Sequence, residues 1–168
     1  METIIQQAIK AHRKKDLKEA EKLYREIIKT EPKQPDANHN LGLILALKNQ
    51  IDEALIFFKT ATEINPDVEQ FWLSYIKFFI QQKKYDDAEI ISKKALKFKA
   101  NFEQVNQLLG LILIDLGKFD EAETIYRKII ELNPDYSEAY NNLGTIFYKN
   151  SNFKEAEINY KKAIELKS

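Results

Sequence analysis

Apolar side chains along this chain fall in stripes three and four residues apart, interrupted by short polar runs. Ile4, Ala8 and Ala11 form one stripe, Lys14-Lys15-Asp16 breaks it, and Leu17, Ala20, Leu23, Tyr24, Ile27 and Ile28 form the next. That spacing marks one face of a helix, so the pattern predicts two helices joined by a tight turn. Pro32 follows, where it blocks continuation of the second helix. The hairpin then recurs. Ala20, Ala54, Ala88, Ala122 and Ala156 are each 34 residues apart, and Leu41-Gly42, Leu109-Gly110 and Leu143-Gly144 keep the same register, as do Pro32, Pro66 and Pro134. A fixed period of this length is the mark of a repeat array. The period divides the chain into hairpins 1–34, 35–68, 69–102, 103–136 and 137–168, a single domain. The fold class it predicts is an all-α solenoid of five hairpins and ten helices, curving into a superhelix with a concave face.

Within the hairpin, Gly42 is expected opposite Ala54, two small residues that let the helix axes approach closely. Asn49 suits the left-handed conformation that ends a helix. Asp52, Glu53, Asp86, Asp87, Asp120 and Glu121 stand where a carboxylate would cap free N–H groups and meet the positive end of the helix dipole. The third hairpin deviates: Tyr75-Ile76 replaces Leu-Gly, Ser92 replaces the aromatic found at Tyr24, Phe58, Tyr126 and Tyr160, and Ala100 replaces proline. The bulk added at Ile76 and removed at Ser92 compensate in volume. Phe71, Trp72, Tyr75, Phe78 and Phe79 read either as packing between hairpins or as an exposed apolar anchor for a partner. No further helix follows Ala163-Ile164-Glu165-Leu166, and terminal repeats need a polar outer face, so the expectation is either an exposed apolar edge or an edge that something else covers.

Charge and composition narrow the function. The 26 Lys and Arg balance the 26 Asp and Glu, so the clustered positive charge that nucleic acids and anionic membranes need is lacking. Cysteine is absent, which excludes a disulfide framework, a thiolate metal site and a cysteine nucleophile. Met1 to Gln7 has neither the basic head nor the apolar run of a signal peptide, and no apolar stretch reaches the roughly 20 residues that span a bilayer. A cytoplasmic protein is expected. His12 and His39 are the only histidines, and although Asp36 precedes His39 by one helical turn, a metal site needs three or four ligands. His39 is expected to be solvated or bonded to an amide. Neither a nucleophile–base–orienter set nor a phosphate-cradling glycine loop is present, so no catalytic residue, metal or cofactor is assigned.

The landmarks Trp72 or Tyr140, Leu41-Gly42, the five alanines, Tyr24 or Phe58, and Pro32, Pro66 and Pro134 resemble the tetratricopeptide repeat (TPR) family over the whole chain. Glu138 to Gly144 is similar to the repeats preceding the catalytic part of O-linked N-acetylglucosamine transferases and of bacterial TPR-transferase proteins. In that group the asparagine before Leu-Gly forms a ladder that binds an extended peptide backbone. Here the slot holds Gln6, Asn40, Ser74, Leu108 and Asn142, so the ladder is broken. The resemblance to chaperone-binding members fails at their carboxylate clamp, since no register supplies its cations.

The resemblance implies that partners bind along the first helices. From the second hairpin the expected lining is His39, Asn40, Leu43 and Leu47; from the third it is Gln70, Leu73, Ser74 and Lys77. The fourth contributes Gln104, Gln107 and Leu111, and the fifth Asn141, Asn142 and Thr145. Amides and aliphatics predominate, which suits a peptide of moderate hydrophobicity rather than a polyanion. The expected function is a non-catalytic module that binds a protein or peptide partner on the concave face, acting alone or as the N-terminal docking domain of a larger transferase. The alternative is a self-assembling homo-oligomeric scaffold, joined through the uncapped C-terminal hairpin.

Overall fold

The computed structural model describes residues 3–167, and among these every regular element is an α-helix. Met1, Glu2 and Ser168, the outer ends of the first and last expected repeats, lie outside the described residues. The helices are α1 (Ile4–Arg13), α2 (Leu17–Thr30), α3 (Pro35–Leu47), α4 (Ile51–Ile64), α5 (Glu69–Gln81), α6 (Tyr85–Phe98), α7 (Glu103–Asp115), α8 (Phe119–Leu132), α9 (Ser137–Lys149) and α10 (Phe153–Glu165). Paired in order they make five hairpins, an all-α array of the solenoid class. The array falls into two compact units, 1–78 and 79–168.

The turn inside each hairpin is set by one backbone conformation. Lys15, Asn49, Lys83, Gly117 and Ser151 all have positive φ, between 56° and 72°, and recur at the sequence period. Each stands just past a first helix. The next residue's N–H reaches back to a helix carbonyl, as in Asp16 to Ala11 at 3.0 Å, Gln50 to Leu45 at 2.9 Å and Lys118 to Leu113 at 2.8 Å. This closes the last turn in the manner of a Schellman motif. Gly117 takes the conformation without a Cβ clash and Asn49 tolerates it; Lys15, Lys83 and Ser151 are held there against their preference.

The expected carboxylate caps are a correction. The residues at the cap positions of α4, α6 and α8 are Gln50, Lys84 and Lys118, none of which makes a side-chain cap bond. Asp52, Glu53, Asp86, Asp87, Asp120 and Glu121 lie inside the first turn, where they favour the dipole but are already helical. Side-chain capping of a second helix occurs at Asp16, which accepts from the Glu19 N–H at 3.2 Å, and at Asn152, which accepts from the Glu155 N–H at 3.4 Å.

The glycine partner is a second correction. Gly42 faces the ring of Phe58, not Ala54: a Cβ placed on it would lie 3.0 Å from Phe58 Cδ1. Gly110 faces Tyr126, with a Cβ 2.6 Å from Cζ, and Gly144 faces Tyr160, 2.7 Å from Cδ1. Two small residues set opposite each other would leave a void, whereas a missing Cβ opposite a ring fills the space. In the third hairpin Ile76 and Ser92 are both fully buried, and the Ser92 hydroxyl donates to the Ala88 carbonyl at 2.7 Å.

Three of the joints between hairpins share a further device. Asn38 Nδ2 donates to the Pro32 carbonyl at 3.0 Å, Trp72 Nε1 to Pro66 at 2.8 Å, and Asn106 Nδ2 to Ala100 at 3.0 Å. Each donor is one slot of the repeat and ties the start of a first helix to the segment leaving the previous hairpin. The aromatic run of α5 belongs to the core: Phe71, Trp72, Tyr75, Phe78 and Phe79 are all buried. Phe58 meets Tyr75 and Phe78, with ring centroids 6.1 and 5.5 Å apart. In the second unit Leu109, Leu113, Tyr126, Leu143 and Phe147 lie in one buried cluster.

Candidate functional site

In unit 1–78 the expected lining residues come from α3 and α5, and the two helices are joined by a polar contact. His39 Nε2 lies 2.8 Å from Ser74 Oγ, and Gln70 Nε2 donates to the same oxygen at 3.3 Å. The His39 ring packs on Phe71, with centroids 4.8 Å apart, and tilts against Phe58 at 6.4 Å. His39 is therefore neither solvated nor bonded to an amide oxygen. It is 7% exposed, and burial pushes its pKa down to about 4, with Asp36 opposing the shift. The imidazole is neutral at physiological pH and works as a hydrogen-bonding joint between helices.

Leu73 needs correcting as a lining residue. It is 2% exposed, because α5 is buried around nearly its whole circumference and leaves Gln70 and Lys77 as its outward side chains in that stretch. Asn40 and Leu43 are half-buried and Leu47 is exposed.

One cavity in this unit lies next to Asn40, at the start of the array. Ile9, His12, Arg13, Tyr24 and Asn40 line a hollow of about 380 Å³. Helix α1 supplies Ile9, His12 and Arg13 from one face, α2 supplies Tyr24 and α3 supplies Asn40. The Tyr24 hydroxyl is buried without a protein partner. Burial pushes its pKa up to about 12, Asp36 adds to the shift and Arg13 opposes it. His12 is edge-on to the Tyr24 ring at 6.0 Å, and burial lowers its pKa. The hollow thus combines an aliphatic wall, one fixed cation and neutral hydrogen-bonding groups.

In unit 79–168 the expected lining is more open. Gln104, Leu111 and Asn141 are exposed, while Gln107, Asn142 and Thr145 are half-buried. Thr145 accepts from the Tyr160 hydroxyl at 3.2 Å and donates to the Asn141 carbonyl at 3.1 Å, so its oxygen is largely committed. The Tyr126 hydroxyl repeats the situation of Tyr24: it is buried and has no hydrogen bond of proper geometry, although the Asn142 amide lies close enough to oppose the upward shift that burial causes.

Sequence reasoning missed two features. One is a hollow of about 300 Å³, lined by Ile129 and Leu132 with the polar side chains of Asn101, Asn106, Glu103, Lys128 and Asn133, between the α6–α7 turn and the end of α8. It lies off the expected lining, and the recurrence of asparagine at the joints was its only signal. The other is a pair of matching ion-pair chains. Glu21 binds Arg25 at 2.9 Å and Lys48 at 2.7 Å, and Arg25 reaches Glu53 at 2.6 Å. Two periods later Glu89 binds Lys93 at 2.7 Å and Lys118 at 2.6 Å, and Lys93 reaches Glu121 at 2.8 Å. Burial pushes the Glu89 pKa up, but Lys118 and Lys93 outweigh it and hold the carboxyl below its ordinary value. Among the described residues no group of His, Cys, Asp and Glu is arranged to hold a metal ion, and no helix is long and apolar enough to cross a membrane.

A family model described as the tetratricopeptide repeat protein 21 C-terminal ARM domain matches residues 19–168. No curated protein matches the chain. Among solved structures, the crystal structure of MamA aligns with a TM-score of 0.82 at 20% identity, over 95% of this chain and 94% of that one. A MamA fragment from Desulfovibrio magneticus RS-1 aligns with a TM-score of 0.80 at 18% identity, over 98% and 93%. YrrB, described as a TPR protein with an unusual peptide-binding site, aligns with a TM-score of 0.79 at 19% identity, over 97% of this chain and 84% of its own. At such identities the likeness establishes the fold.

Proposed function

The chain belongs to the family described as the tetratricopeptide repeat protein 21 C-terminal ARM domain, a TPR-type array, and on that premise we propose that it is a non-catalytic module that binds a peptide segment of a partner protein. The observation that carries this reading is the hollow formed by Ile9, His12, Arg13, Tyr24 and Asn40. Its wall takes an apolar side chain, and the Asn40 amide offers a peptide backbone both a donor and an acceptor. The exposed amides Gln104 and Asn141 and the aliphatic Leu111 provide a second, separate set of contacts in the other unit. The peptide-binding site named for YrrB supports the same use of the fold.

The preferred segment is extended and moderately apolar, matched to the Ile9 wall, the Tyr24 ring and the Asn40 amide of the hollow. Isothermal titration of the purified chain against apolar and acidic peptide libraries tests this. Apolar peptides are expected to bind, with Asn40→Ala weakening them about tenfold, or about 1.4 kcal/mol. Binding confined to acidic peptides and falling steeply with salt would overturn the proposal.

A further inference from the structure

The hollow beside Asn106 belongs to a slot that two other hairpins fill with a ring. The counterpart of Asn106 is Trp72 in the third hairpin and Tyr140 in the fifth. Trp72 is fully buried, and its indole N–H reaches the Pro66 carbonyl. Asn106 Nδ2 reaches the matching Ala100 carbonyl, so the polar link is kept while the rest of the ring is given up. Ile129 stands in the slot of Ala61, Ala95 and Ala163 and takes back part of that volume. A hollow of about 300 Å³ remains, at the small end of the ~300–1,000 Å³ range of ligand pockets.

The lining sets the chemistry of what fits. Asn106 is 8% exposed, and its Nδ2 donates to the Ala100 carbonyl at 3.0 Å and to the Phe102 carbonyl at 2.8 Å. Both amide hydrogens are thereby committed, and what the side chain offers a ligand is Oδ1, an acceptor. Ile129 and Leu132 form an apolar wall, which the exposed Leu132 carries out to the rim. The Lys128 ammonium can lie against the face of an aromatic ring. Asn101 and Asn133 are exposed at the rim, and each amide can both give and take a main-chain hydrogen bond. Asn38 makes the same pair of bonds in the second hairpin, to the Pro32 and Gln34 carbonyls. There, however, Pro35 and Thr60 occupy the slots of Glu103 and Lys128, so the asparagine and the charged rim occur together only in the fourth hairpin.

We propose that this hollow binds the tryptophan side chain of a peptide segment, with the indole N–H donating to Asn106 Oδ1, the ring against Ile129 and Leu132, and the peptide main chain paired with Asn101 and Asn133. An indole carries its donor on the edge of an apolar ring, so both kinds of lining are used at once. Phenylalanine would cover Oδ1 with carbon and leave it desolvated without a donor. The two rim amides favour a ring carried on a peptide over a free ring, which has no main chain to pair with them. The site shares no residue with the hollow beside Asn40 and does not rest on it.

The test titrates the full isotope-labelled chain with a short capped peptide that holds one tryptophan between glycines, and follows the side-chain amide signals of Asn101, Asn106 and Asn133 by NMR. Saturable shifts of these signals are expected, and they persist in Asn40→Ala. Methylating the indole nitrogen of the peptide is expected to weaken binding at least about tenfold, and Leu132→Asp does the same, while Ile90→Asp leaves it unchanged. Asn106→Trp combined with Ile129→Ala gives the fourth hairpin the residues of the third and fills the hollow from within. This double variant is expected to melt cooperatively and to show no peptide-induced shift at Asn101 or Asn133. Four results overturn the proposal: no saturable shift at Asn106, equal binding of the methylated peptide, a folded double variant that still binds, or free tryptophan binding more tightly than the capped peptide, which would assign the hollow to an amino acid. If the double variant does not fold, the other two comparisons decide, because Leu132 is 73% exposed and methylation alters the peptide alone.

Discussion

Exchanging the two partners of the glycine–ring contact tests the packing rule of the array. At Gly110 a Cβ would already lie 2.6 Å from Tyr126 Cζ, about 1 Å inside ordinary carbon–carbon contact. Tyr126 is 1% exposed, so its ring has nowhere to swing. Gly110→Ile alone is therefore expected to cost about 3 kcal/mol or more, the upper end for overpacking, because its gain in helix propensity is only about 0.5 kcal/mol. Tyr126→Ser alone removes a buried ring and is expected to cost about 3–5 kcal/mol. Together the two changes give the fourth hairpin the residue types that the third carries in the same slots, isoleucine at 76 and serine at 92. The double variant is expected to lose at least about 2 kcal/mol less than the sum of the singles. Urea unfolding followed by circular dichroism measures all four corners of the cycle, and Gly42→Ala against Gly110→Ala gives a milder check, since the contact at Gly42 is looser. Losses that add to within about 0.5 kcal/mol would show that glycine and ring do not share one space, and the rule would fail.

Other expectations follow from the turns, the joints and the buried histidine. Lys83→Gly relieves a lysine held at φ 56° and is expected to raise stability by about 0.5–1 kcal/mol in urea titrations, whereas the same change at exposed, helical Lys97 lowers it by about 1 kcal/mol. His39 has a folded pKa near 4 against an ordinary value of 6.5, so protons bind more strongly to the unfolded chain; stability is full above about pH 6.5 and is lost as pH falls toward 4. Between pH 7 and 5 this amounts to about 2 kcal/mol, to which His12 adds in the same direction, and the slope of unfolding free energy against pH is expected to flatten in His39→Gln. Trp72→Phe keeps an aromatic ring but leaves the half-buried Pro66 carbonyl without its indole donor, and a loss of about 1–2 kcal/mol in thermal or urea unfolding is expected.

The architecture was legible because the pattern repeats: five alanines in strict register locate every second helix, and Asn49 marked a turn that proved to recur at Lys15, Lys83, Gly117 and Ser151. Those other residues, glycine apart, gave no chemical hint, since the neighbouring helices impose the conformation. The partner of Gly42 was misjudged because spacing along a helix says which residues share a face but not which height on the next helix they meet. Phe58, one turn beyond Ala54, is the ring that needs the missing Cβ. Leu73 was misplaced for a related reason: periodicity identifies the face toward the partner helix, whereas the burial of α5 comes from more than one side. The binding surface was legible only as composition. Asn40 could be placed beside a groove from its slot, but the hollow it shares with Tyr24 and Arg13 depends on three helices meeting.

The side-chain donor at three of the joints works with an amide in Asn38 and Asn106 and with an indole in Trp72, each time reaching a main-chain oxygen. A main-chain acceptor is present whatever residue carries it, so the tether makes no demand on the identity of its neighbour. Whole hairpins can therefore be gained or dropped in the history of such a gene without any matching change on the far side of the seam, and length becomes the most easily altered property of the molecule.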